Sequence, residues 1–123
     1  MVVLISVLTL CGCDDWTYND IYGEWRIVEV NGDYNCNYRP GDRWFFNTNG
    51  YFTATGSGGL YEEGYWDRSG RNIYISFETY EPEIVARISV LDNNYMVLNV
   101  EDYTYHSRYT LRLVNDYYYS QKK

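Results

Sequence analysis

A chain of 123 residues with a formal charge of −7 has room for one domain and a single modest core. Its ten Lys and Arg are scattered and outnumbered by 17 Asp and Glu, which excludes the clustered basic face that a nucleic-acid partner requires. Sixteen Tyr and four Trp argue against disorder, and a lone histidine, His106, removes His-pair metal sites and most triad chemistry.

In chain order, the first element is the apolar run of residues 2–10. It falls short of the roughly 20 residues a bilayer span needs and fits the h-region of a secretory signal. Its Val and Ile also permit a buried strand, although the rest of the chain supplies a full strand set without it. The run leads into Leu10-Cys11-Gly12-Cys13-Asp14-Asp15. This resembles the bacterial lipobox, with an aliphatic residue three before the modified cysteine and a small one just before it. The resemblance implies that residues 1–12 are a signal peptide, that Cys13 carries diacylglycerol, and that 13–22 is a lipidated tether. It places the protein in the cell envelope, anchored to the outer membrane or displayed on the cell surface. Asp14 and Asp15 resemble two kinds of sorting signal, inner-membrane retention and surface export, and suit a solvated tether equally well. With Cys11 cleaved off and Cys13 acylated, Cys36 is the remaining thiol, so no disulfide framework holds the fold. No His or Lys neighbours Cys36 to activate it.

Beyond the tether, alternation with period two predicts strands over 25–30, 43–47, 51–55, 60–67, 72–77, 84–91, 95–101 and 108–113. The faces expected to point inward include Ile73, Ile75 and Phe77; Ile84, Ala86, Ile88 and Val90; Met96, Leu98 and Val100; and Tyr109, Leu111 and Leu113. Turn chemistry separates the strands at Asn49-Gly50, Gly56-Ser57-Gly58-Gly59, Ser69-Gly70 and Asp92-Asn93-Asn94. Eight closely spaced strands predict an all-β, eight-stranded up-and-down antiparallel barrel over 23–115, with 116–123 as a C-terminal tail. A two-sheet β-sandwich is the alternative the same pattern permits.

Several short motifs carry a family resemblance. Gly23-Glu24-Trp25 resembles the Gly-x-Trp that opens the first strand of lipocalins. Trp44-Phe45-Phe46 with Gly50-Tyr51-Phe52, Gly64-Tyr65-Trp66 and the closing Tyr109-Thr110-Leu111-Arg112-Leu113 resemble lipocalin-like lipoproteins of Gram-negative anaerobes. The resemblance implies a calycin-type barrel and a binding role for a small apolar ligand, with no cofactor. It also implies a structural pair at the closed end, Trp25 under Arg112, with Arg108 as the other candidate Arg.

The inward aromatics Trp25, Trp44 (or Phe45), Phe52, Trp66 and Phe77 are the candidate ligand contacts. They are also bulky enough to fill a barrel about 20 Å tall, so no fatty-acid-sized cavity is expected. Catalysis is not expected. Glu62 and Glu63 adjoin along a strand and face opposite sides, and Glu81 and Glu83 flank Pro82 in a turn. Asn31-Gly32-Asp33 and Asp92-Asn93-Asn94 read as turns and lack the spacing of a calcium loop, so no metal site is assigned. A second function class remains: Tyr34, Tyr38, Tyr61, Tyr74, Tyr80, Tyr103, Tyr105 and Tyr117 to Tyr119 exceed one small core and suit an outer surface that engages a protein or glycan.

Overall fold

The computed structural model describes residues 21–32, 36–77 and 82–116. The expected signal peptide (1–12), Cys13, Tyr34, Tyr80 and Tyr117 to Tyr119 lie outside the described residues. Eight strands, β1 (Gly23–Gly32), β2 (Arg43–Phe46), β3 (Tyr51–Thr55), β4 (Tyr61–Ser69), β5 (Asn72–Ser76), β6 (Ile84–Leu91), β7 (Tyr95–Asp102) and β8 (Ser107–Val114), form a closed barrel. Each strand pairs antiparallel with its sequence neighbour, and β8 returns to β1 with Leu113 opposite Ile27 and Leu111 opposite Val30. Closure removes both sheet edges and disposes of the sandwich alternative.

Two bulges interrupt the alternation, and the second corrects a predicted inward face. In β1 the pairing with β8 slips between Ile27 and Glu29, so Val28 and Glu29 both face outward and Val30 turns in to pack on the core. In β6 the slip lies between Ile88 and Val90. Val90, expected inside, is 42% exposed, and Leu91 takes its place against the core. One extra residue in a strand reverses the phase of every side chain beyond it.

The core is aromatic on one side and aliphatic on the other. Trp25, Trp44, Phe46 and Phe52 meet Ile73, Ile75, Ile84, Ile88, Met96, Leu98, Leu111 and Leu113, all at most 1% exposed. Phe45, the alternative to Trp44, points outward at 40% exposure. Phe52 lies 5.4 Å from both Trp44 and Phe46 between ring centroids, with edge-on or tilted geometry. Gly64 lets this cluster close: a Cβ there would stand 2.3 Å from the Ser76 carbonyl oxygen and 2.9 Å from the Phe77 ring.

The two barrel ends differ. At one end the strands turn tightly, with Gly50 at φ +89° and Gly70 at φ +62° closing two of the turns. This end is plugged by Ile21, 1% exposed, whose carbonyl accepts the Trp25 indole N–H at 2.9 Å. The folded unit therefore includes residues 21 and 22, expected as tether, and Asp116, expected as tail, which pairs with Arg26 at 2.7 Å. The other end carries the longer connections, 33–42, 56–60, 77–83 and 103–106, and forms the mouth.

Candidate functional site

The mouth is built by the register of the strands that end there. On β4, Glu62 shares the inner face with Gly64 and Trp66, and on β7, Asp102 shares it with Val100 and Leu98. The β1–β2 connection lays Tyr38 across the opening, only 3% exposed and edge-on to Trp44 at 5.1 Å. Tyr38 was expected on the outer surface; its ring instead roofs the core. Its hydroxyl donates to Glu62 Oε1 at 2.5 Å, and Asn37 Nδ2 donates to Glu62 Oε2 at 3.4 Å.

Asp102 is 2% exposed and fully engaged. Its Oδ1 accepts the backbone N–H groups of Thr104 and Tyr105 at 3.1 and 3.3 Å, and its Oδ2 accepts the Tyr109 hydroxyl at 3.1 Å. Around these acids lies an open cavity of about 430 Å³, walled also by Phe77, Glu83, Ile84 and Tyr105. Glu83 is fixed by the Phe77 N–H, which donates to its Oε1 at 2.6 Å.

Burial governs the electrostatics. Desolvation raises the carboxyl pKa of both Glu62 and Asp102, and the hydrogen bonds from Tyr38 and from Tyr109 and two backbone amides only partly oppose it. Burial, reinforced by the neighbouring carboxylates, holds the Tyr38 and Tyr109 phenols well above their ordinary range. Burial likewise raises the Cys36 thiol, whose Sγ lies 3.4 Å from the Tyr38 backbone N and O. That makes Cys36 a poor nucleophile. Among the described residues, no group of three His, Cys, Asp or Glu converges so as to hold a metal ion.

The five aromatics singled out from sequence do not form one site. Trp25, Trp44 and Phe52 are core residues, at most 1% exposed. Trp66 lies toward the plugged end, donating its indole N–H to the Asn47 carbonyl at 2.9 Å beside Tyr22 and Phe46. Phe77 alone of the five lines the mouth cavity. Trp25 and Arg112 are not brought together. Arg112 is on the outer face, ion-paired with Glu29 at 3.0 Å and hydrogen-bonded to the Tyr95 hydroxyl, while Trp25 points into the core. Arg108 is also outside, paired with Glu101 at 3.2 Å. Glu62, Glu83, Asp102 and Tyr105 were passed over as site residues, yet the alternation that places Trp66 inside also places Glu62 inside.

A family model described as a lipocalin-like domain matches residues 21–98. The match begins at the Ile21 plug and ends within β7, before the strand that closes the barrel. No curated protein and no solved structure matches the chain.

Proposed function

The chain belongs to the lipocalin-like domain family, and from that premise we propose a non-enzymatic binding protein that takes its small ligand in the barrel mouth rather than the interior. A lipocalin-like barrel suggests a small hydrophobic ligand. What carries the reading is the division of space. The interior positions are occupied by large side chains at most 1% exposed, whereas the mouth offers about 430 Å³, within the usual range of ligand pockets. Lipidation of Cys13 and residence in the cell envelope complete the proposal and rest on the lipobox resemblance.

Two measurements test it. Titration with fluorescent fatty acids and smaller aromatic probes, followed by amide NMR, should perturb Tyr38, Glu62 and residues 102–105 with the small probes. Saturable one-to-one fatty-acid binding abolished by Ala86→Phe would place the ligand inside the barrel and end the mouth reading. Metabolic labelling with a palmitate analogue in a bacterial host should mark the wild type and not Cys13→Ala; equal labelling of both removes the anchor.

A second reading has its own observation. On the outer wall Tyr51, Tyr61 and Tyr65 cluster around Glu63, with Tyr61 donating to Glu63 at 2.5 Å and Tyr51 stacked edge-on to Tyr65 at 5.7 Å. Tyr61 and Tyr65 are 59% and 64% exposed. Such a patch suits an interaction module that binds a protein or glycan. Glycan binding lost in Tyr65→Ser and kept in Glu62→Gln would favour it.

A further inference from the structure

The mouth cavity combines features that select one class of ligand, and we infer that it takes a small organic cation, a primary amine carrying an aromatic or short apolar group. This rests on the mouth being the binding site. Glu62, Glu83 and Asp102 line the cavity, bordered by Glu63 of the outer wall, and among the described residues that line it none is Lys, Arg or His. Among the described residues, the connections at this end also carry Asp42, against Arg39 and His106. Arg39 lines a separate depression together with Asp42. Other arginines are committed elsewhere: Arg26, Arg43, Arg108 and Arg112 each pair with a carboxylate on the outer wall. Among the described residues, no basic side chain of the lining offsets the negative field of the mouth, and a cleft lined by one sign of charge concentrates that field.

An ammonium brings three N–H donors and no acceptor, so it suits a lining rich in carboxylate acceptors.

The rest of the lining fits the rest of such a molecule. Phe77, Tyr38 and Tyr105 present aromatic surface, which attracts a cation to a ring face and packs against an apolar group, and Ile84 is the aliphatic member of the wall. Among the described residues the acids do not converge as a metal cage, and an organic cation, which carries its own shape, does not need one. A fatty-acid carboxylate would meet like charge at the entrance and is selected against.

The test uses the full chain in non-ionic detergent with three near-isosteric probes: 2-phenylethylamine, 2-phenylethanol and 3-phenylpropanoate. Amide NMR locates each probe and gives its affinity. The amine should shift residues 102–105 and Glu62, bind roughly tenfold more tightly than the alcohol, and weaken with added salt. Glu62→Gln keeps an acceptor for Tyr38, so it should reduce amine affinity several-fold and leave the alcohol unchanged; Glu83→Gln should act in the same direction. Equal binding of alcohol and amine at these amides would overturn the cation and leave mouth binding standing. So would a Glu62→Gln variant that weakens both alike, because the residue would then act by holding Tyr38. Shifts confined to interior positions such as Ile75 and Leu98, or none with any probe, would overturn the mouth reading and this inference together.

Discussion

The hydroxyl of Tyr38 sits 2.5 Å from Glu62, so a residue of the long β1–β2 connection is tied to the inner face of β4. The contact spans the mouth and places an anion where desolvation disfavours it. A carboxyl whose folded pKa is raised contributes stability below its unfolded pKa and loses that contribution as pH rises through the folded value. Glu62→Gln cannot ionise and keeps the Tyr38 contact. Its thermal stability should match the wild type near pH 4 and exceed it near pH 7. Melts followed by circular dichroism at both pH values measure this, and a variant less stable than wild type at pH 7 would show that the charged hydrogen bond outweighs desolvation.

Asp116 illustrates the opposite sign. Arg26 holds it through two hydrogen bonds, at 2.7 and 3.1 Å, and lowers its carboxyl pKa. Its contribution is present above the unfolded pKa and is lost as pH falls through the folded value. Both side chains are more than a third exposed, so solvent screens the pair. Asp116→Asn should cost about 0.2–1 kcal/mol at pH 7 and nothing near pH 2, measured by urea unfolding.

The barrel was legible because period-two alternation and turn residues recur along the whole chain, and a meander of short hairpins has few ways to close. Strands 51–55 and 84–91 fall where alternation places them. What alternation cannot register is a bulge, which is why Val90 and Leu91 exchange faces. Arg112 follows from alternation too: it lies between Leu111 and Leu113 and must face outward, so the lipocalin-type pair with Trp25 conflicts with this strand's own pattern. The mouth was less legible. Glu62 and Asp102 read as ordinary surface acids beside Glu63 and Glu101, and only their inward phase distinguishes them. Tyr38 carries no local signal, since its burial depends on how a ten-residue connection folds over Trp44.

Gly64 is a point of close backbone approach between β4 and β5. Its Cβ position collides with a backbone carbonyl, which cannot move as the end of a side chain can. Gly64→Ala should therefore destabilise the barrel by about 1–3 kcal/mol, as overpacking does, despite the better strand entropy of alanine. Chemical denaturation gives the value. An unchanged or raised midpoint would mean that β4 and β5 separate more easily than their register suggests.

Phe52 tests the claim that the interior is filled rather than hollow. It is fully buried, contacts the rings of Trp44, Phe46 and Phe77, and faces Gly64 across the β3–β4 ladder. Truncation removes a ring from a site hemmed by other rings, so the surroundings cannot collapse fully into the space. Phe52→Ala should lose about 3–5 kcal/mol, a large share of the stability of a domain this size. Phe52→Leu should lose less, which keeps a folded variant available. An apolar void of this kind stays dry and accepts small aromatic hydrocarbons. Amide NMR should then show benzene binding to the variant near Trp44 and Ile75 and not to the wild type. Equal benzene binding by the wild type at those same positions would reveal an interior cavity already present, and the ligand would have to be sought inside the barrel instead of at its mouth.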